Sequence, residues 1–552
     1  MLGKFKLFLT ILVSLILFNN ISIAVPASEG INYLGSGSYV NVFPTNIDQN
    51  SPDNKDVQSM KYITSNMEGK PIPTNDWWSS LVWEGISDDG HYIQAAHPFL
   101  VKLEAEGMRL FAPRAEDFWI IDTAYGATMP DGNKQDFILG NSYSTNLEAY
   151  LHDYNDWFVT ASMAGGSASM KLSYGHGSPY IYGIYESGKP TLTFDSVPSI
   201  WYGNSSSKVI GFSIQGRNYA AFAPENSSWS GIGSTTIICN LPDGRNYFSV
   251  AALPPGNTGT LLPLFKKYAY NHVSNTTVNW DYIENSGQVI TSYNYSINKY
   301  EGNETGTIFG LYPHQWRNLQ DGSLLNHSYT TVRGEMKLAQ GLSFSTNMKF
   351  PGVMSSLPPL QSQNDINRLY TYVDQIRNET FTSVDTYYTG KRLGKLATII
   401  PIAEQVDHNT AATEFRTELK NRLENWFDAT NDDGSPYVRD VFYYNNNWKT
   451  LIGYDASFGS ADQLNDHHFH YGYFVKGAAE IARTDKSWAS DNQYGSMVNL
   501  LIRDMASPDR DDPMFPFLRN YDIYAGHSWA SGHARFADGN NNESSSEAMN
   551  AW

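Results

Sequence analysis

The sequence predicts a multidomain β + α protein, and three observations carry that reading. From about residue 30 to 310, hydrophobic residues alternate with polar ones as in half-buried strands. Gly and Pro punctuate the same region at short intervals, as expected of strands joined by tight turns. Beyond residue 360 the apolar spacing changes to that of helices.

The clearest single element is a hairpin. Val278, Trp280 and Tyr282 alternate on one side of Asn285-Ser286-Gly287, and Val289, Thr291, Tyr293, Tyr295 and Ile297 alternate on the other. Gly175-His176-Gly177-Ser178-Pro179, Pro242-Asp243-Gly244 and Pro254-Pro255-Gly256 supply further turns. An antiparallel β-sandwich is the natural architecture for such a segment. No fixed repeat period is present, which argues against solenoids and propellers. Pro351 to Pro359 then forms a hinge. After it, Ile366, Leu369, Tyr370, Val373 and Ile376 fall at helical spacing, as do Phe415, Leu419, Leu423, Trp426 and Phe427.

The first residues read as a targeting device. Lys4 and Lys6 precede an apolar run from Leu7 to Phe18, and small residues around Ala24 and Ala27 follow, the pattern of a cleaved secretory signal. The expectation is export, with residues 1–27 removed and no membrane association afterwards. The chain carries 38 basic and 56 acidic residues, a net charge of -18 that repels nucleic acid and anionic bilayers alike. Its single cysteine, Cys239, rules out an intramolecular disulfide. Aromatic residues make up 14% of the chain, and rings with a polar tip suit the CH faces and hydroxyl edges of sugars.

Chemistry concentrates in two short segments near the end, Asn465-Asp466-His467-His468-Phe469-His470 and Asn542-Glu543-Ser544-Ser545-Ser546-Glu547. Each pairs acid or base side chains four residues apart, which in a helix places both on one face. Brought together they would form a carboxyl-rich cleft, and glycoside hydrolysis needs two carboxyl groups across the scissile bond. The same spacings also occur on ordinary helices, where Asp466 would cap and the glutamates would face solvent. Three histidines with a carboxylate also resemble the start of a zinc or iron site, but no His-Glu-x-x-His and no cysteine ligands accompany them.

These segments, with Phe515-Pro516-Phe517-Leu518-Arg519-Asn520 and Gly526-His527-Ser528-Trp529-Ala530-Ser531-Gly532, resemble the endo-β-1,3-glucanases of glycoside hydrolase family 81. Pro73-Thr74-Asn75-Asp76-Trp77-Trp78, Leu311-Tyr312-Pro313-His314-Gln315-Trp316 and Tyr388-Thr389-Gly390-Lys391 match in the same order. The resemblance implies a β-sandwich domain at 28–310, a small mixed α/β linker domain at 311–384 and a catalytic (α/α)6 barrel at 385–552. It also implies inverting hydrolysis of internal β-1,3-glucosidic bonds in laminarin-like and cell-wall glucans, by a secreted enzyme that needs no cofactor or metal. We expect a monomer. Matched to the motif, Asp466 is the general acid and Glu543 the general base, while Glu547 is the nearest competitor for the base role and otherwise positions water or sugar. His470 is a supporting residue, and Tyr388, His527 and Trp529 line the cleft, with a core role the alternative for Trp529.

Two other classes fit the motifs less well. Helical-barrel polysaccharide lyases also use His and Tyr, but their clefts are basic to bind uronates, whereas these motifs are rich in carboxylates. A glucan-binding protein or fragment with impaired catalysis is the alternative, because residues 385–552 are fewer than the roughly 200 that twelve helices with short loops require. The barrel is therefore expected to be incomplete at its C-terminus.

Overall fold

The computed structural model describes residues 30–44, 47, 53–86, 92–121, 124–126, 135–354, 356–431 and 439–552. The expected signal segment at 1–27 lies outside the described residues. The protein is β-rich, with nine α-helices among the described residues. No helix among them is long and apolar enough to cross a membrane.

Two antiparallel sheets dominate the first half. An eight-stranded sheet runs from Ser199–Tyr202 at one edge through Tyr180–Ser187 to Glu148–Tyr154 at the other, and a seven-stranded sheet includes Phe137–Asn141, Gly107–Phe111 and Leu100–Glu104. Alternation along the strands explains how they share a core. Val159, Ala161 and Met163 point inward from Phe158–Gly165, and Met170 and Leu172 do so from Ala168–Gly175. Val101, Leu103, Met108 and Leu110 join the same buried cluster from the other sheet. That cluster continues into Val441, Trp448 and Ile452 of the second half.

The predicted hairpin forms. Asn271–Ile283 pairs with Gln288–Lys299, Val278 opposite Tyr293, and Gly287 closes the turn with φ 58°, a conformation that costs a residue without Cβ little. Tyr293 stacks on Phe344, with ring centroids 4.4 Å apart, in a second, aromatic core. Two predicted stripes fare differently. Phe415, Leu419, Leu423, Trp426 and Phe427 are all buried, but in helix Gln363–Arg377 only Val373 is, and Tyr370 is exposed, because that helix packs at the rim.

Sheet pairing also crosses the chain. Strands Ile31–Leu34 and Gly37–Val40 form one four-stranded sheet with Val441–Asn445 and Thr450–Tyr454. Strand Thr307–Leu311 pairs with Gly334–Gly341, so the 311–384 segment is stitched to what precedes it.

A fully buried polar hub fixes the second half. Asp504 accepts hydrogen bonds from Thr450 Oγ1 (3.0 Å) and the Leu451 amide (2.9 Å), and its Oδ2 lies 2.7 Å from His467 Nδ1. Arg519 Nε donates to the Asp504 carbonyl (2.9 Å), and its Nη1 donates to Thr74 Oγ1 (2.9 Å). Burial raises the Asp504 carboxyl, yet His467 and Arg519 outweigh it and hold it below the usual carboxylate range. Asp504→Ala leaves Arg519 without its carboxylate partner in the interior, which costs about 3–5 kcal/mol. Denaturant unfolding at pH 7 is expected to show a loss of that size; a midpoint like wild type would show that the hub does not support the fold.

Candidate active site

Asp466 occupies the N-cap position of helix His467–Thr484 with φ 61°, and its side chain makes no capping hydrogen bond. Its amide donates to the Ala530 carbonyl (3.0 Å), while its own carbonyl accepts from the Phe469 and His470 amides (2.8 and 2.9 Å). The backbone caps the helix and the carboxyl remains free for chemistry. Phe458 and Leu464 upstream also have positive φ, 56° and 55°. Three non-glycine residues held in the left-handed region within one short loop mark a strained segment, of the kind found at functional sites. Asn465 braces it, donating to the Phe458 carbonyl (3.3 Å) and accepting from the Gly532 amide (2.9 Å).

The two glutamates do not share a helical face as their spacing suggested. Ser544 Oγ accepts from the Glu547 amide (3.4 Å) and starts the short helix Ser545–Ala548, so Glu543 lies outside it. The signal was present in the sequence: Ser544-x-x-Glu547 is a capping-box pattern, which sets the helix boundary after Glu543. Glu543 is exposed and, among the described residues, its carboxylate accepts no hydrogen bond. Glu547 is half-buried, and its Oε1 accepts from Tyr387 Oη (2.9 Å) and Tyr473 Oη (2.7 Å).

Electrostatics ties the three carboxyl groups together. Desolvation first, then the charges of Glu543 and Glu547, push the Asp466 carboxyl up to about 8. An acid that keeps its proton near neutral pH between two carboxylates is the pairing a glycosidic proton donor requires.

His470 is buried, with Nδ1 2.7 Å from Thr386 Oγ1 and Nε2 unpartnered among the described residues. Burial, with His467 and His468 alongside, drives its imidazole well below the usual range. His467 and His468 take separate partners, Asp504 and Asn520, so the three rings do not converge on one point. Tyr388 is 47% exposed and meets Phe458, itself 52% exposed, at a ring separation of 6.1 Å. Asp385 organises both: its Oδ1 accepts from the Tyr387 and Tyr388 amides and from Ser457 Oγ.

His527 and Trp529 sit in another network. Trp529 Nε1 donates to Asp522 Oδ2 (2.9 Å), whose other partner is His176 Nε2 (2.8 Å), and His527 is bonded to Arg333 and packed on Trp529. Burial and Arg333 lower His527 to about 4. Sequence reasoning missed Tyr387, Tyr473 and Phe458. The two tyrosines flank motif residues, but a lone Tyr carries no sequence signal for a carboxylate partner.

Two recesses border this region. One of about 420 Å³ is lined by Lys391, Lys395, Tyr473, Lys476 and Glu547. Another of about 290 Å³, lined by Asp76, Tyr154, Tyr521 and Asp522, shares none of the carboxylates assigned to catalysis.

Comparison with known proteins shows the family. Residues 362–552 match the glycosyl hydrolase family 81 C-terminal domain. A glucan endo-1,3-beta-D-glucosidase of Acetivibrio thermocellus is 45% identical, over 91% of this chain and 63% of its own length. One of Thermobifida fusca is 38% identical, over 95% and 67%. The solved structure of glycoside hydrolase family 81 from Clostridium thermocellum, in a mutant form, superposes with a TM-score of 0.86 at 43% identity, covering 95% of this chain and 70% of that one. The chain thus spans about two thirds of the length of the relatives it matches. From the motifs, the fold and these likenesses, the chain belongs to glycoside hydrolase family 81.

Proposed function

We propose that the protein hydrolyses internal β-1,3-glucosidic bonds of soluble and cell-wall β-1,3-glucans with inversion at the anomeric carbon. The observation that carries the reading is Asp466 at the head of helix His467–Thr484 with its carboxyl uncommitted to the cap, in a chain of family 81; burial and the charges of Glu543 and Glu547 push that carboxyl up to about 8. Asp466 delivers its proton to the leaving glycosidic oxygen. Glu543, exposed and without a protein partner among the described residues, draws a proton from the attacking water on the opposite face of the sugar. Tyr388 and Phe458 offer exposed ring faces for the glucosyl units on either side. In this reading the paired sheets are a β-sandwich, the helices belong to an (α/α)6 barrel, and the enzyme is a secreted monomer.

Soluble β-1,3-glucan is expected to yield a ladder of short oligosaccharides without added metal. Exclusive release of glucose, or unsaturated products absorbing in the ultraviolet, would sink the assignment. Proton NMR of the first products is expected to show the α anomer; β first would mean retention.

Asp466→Asn and Glu543→Gln each remove one proton-transfer group and are expected to lower kcat by about 10² to 10⁴ while the fold persists. Turnover like wild type in either variant would refute its role.

A third expectation follows from linkage. Asp466 has a folded pKa raised above its unfolded value, so between the ordinary carboxylate range and about pH 8 the native state holds a proton the unfolded state has lost. Stability from this group therefore falls as pH rises across that window. Rate should fall as pH rises through about 8, where the acid is lost, and Asp466→Asn should melt at a higher temperature than wild type at pH 7. A melting temperature unchanged or lower would show that the carboxyl is not strained by its surroundings.

A further inference from the structure

We propose that Tyr387 and Tyr473 are positioning residues that pin the Glu547 carboxyl within the cluster it forms with Asp466 and Glu543. The inference rests on the glycosidase reading of the same carboxyl groups, in which a held Glu547 adds to burial and to the Glu543 charge in favouring the proton on Asp466.

The geometry is specific. Both phenols donate to a single oxygen, Glu547 Oε1, at 2.9 and 2.7 Å. A carboxylate oxygen accepts, and two donors on Oε1 fix the orientation of the group, while Oε2 accepts no hydrogen bond among the described residues. The donors arrive from different helices. Tyr387 stands in the first turn of Thr386–Gln405, held there by the Asp385 cap. Tyr473 comes from His467–Thr484, and its ring occupies space opened by Gly394, where a Cβ would lie 2.4 Å from Tyr473 Cδ1. The Ser544 cap fixes the Glu547 backbone from a third direction.

Burial and the Glu547 charge raise the Tyr387 phenol to about 12 and move Tyr473 upward as well, so both stay protonated as donors. The other charged or titratable groups around this point are Lys391 and Lys395 from the first helix and His470 and Lys476 from the second, with Glu543 on the C-terminal segment. Lys391 Nζ lies 5.2 Å over the Tyr387 ring and 3.5 Å from its hydroxyl, which leaves the phenols as the contacts that hold Glu547.

The test follows the proton on Asp466. In protein labelled with ¹³C at aspartate carboxyls, with Asp466→Asn identifying the resonance, the Asp466 midpoint is expected to move to lower pH by on the order of one unit in the Tyr387→Phe/Tyr473→Phe double variant. Glu547→Gln should move it in the same direction and at least as far, and each single Phe variant should move it less. The alkaline limb of kcat/KM should follow, with kcat reduced and KM little changed. A midpoint unmoved in the double variant, or unmoved in Glu547→Gln, overturns the proposal; so does a rise in KM with the pH profile unchanged, which would make the tyrosines sugar contacts. The carboxyl titration needs no turnover, so failure of the wild type to hydrolyse glucan would sink the glucanase reading separately.

Discussion

The buried contact between Asp504 and His467 is the constraint on which the rest of the site depends. Asp504 is anchored to strand Thr450–Tyr454 by Thr450 and the Leu451 amide, and His467 is the first residue of the helix that Asp466 caps. His467 Nε2 also lies 2.8 Å from the Ser460 carbonyl, so one imidazole joins helix, strand and the loop that leads to Asp466. Breaking such a pair by removing one partner is costly because the other is left desolvated. The position of Asp466 is therefore set by its neighbour in sequence, while its own carboxyl takes no part in holding the fold.

That separation allows the acid to be strained. A carboxyl raised to about 8 is destabilising at neutral pH, and three left-handed non-glycine residues add backbone strain close by. The Asn465 braces, the Ala530 carbonyl and the histidine hub offset these costs with hydrogen bonds made by residues that do no chemistry. Desolvation is the larger reason that Asp466 keeps its proton, and the charges of Glu543 and Glu547 add to it.

Much of the fold was legible where the hydrophobic period was strong. The hairpin at residues 271–299 and the helix carrying Phe415 to Trp426 followed from alternation and helical spacing alone. The stripe on Gln363–Arg377 also marked a helix, with Val373 buried and Ile376 packed on the core, but periodicity reports which face is apolar and not how fully it is covered. At the site, the place of Asp466 just ahead of a helix was readable from the chain, although its side chain makes no cap, whereas the separation of Glu543 from the helix of Glu547 depends on the Ser544 cap overriding the i, i+4 spacing. The tyrosine pair on Glu547 was not readable at all: its members lie 86 residues apart in sequence and meet only because Gly394 admits the Tyr473 ring. Contacts between packed helices leave such traces only in the small residues that permit them.

The Pro73–Trp78 motif, nearly four hundred residues before Asp466, acquires a physical reason in the same terms. Thr74 receives the buried Arg519 guanidinium, and Asn75, itself in the left-handed region at φ 59°, donates through Nδ2 to the Ala530 carbonyl (2.8 Å). That carbonyl also accepts the Asp466 amide (3.0 Å), so one oxygen couples the N-terminal segment to Asp466. The Asn75 amide and Trp83 Nε1 then bind the Gly532 carbonyl (3.1 and 3.0 Å), and Gly532 cannot carry a Cβ because it would meet the Gln463 carbonyl at 2.1 Å. Residues from the sheet-rich half thus buttress the loop 530–532 against which the segment leading to Asp466 is laid. The motif acts through the backbone it positions, which is why its residue types are those of turns and hydrogen bonding and not those of acid–base chemistry.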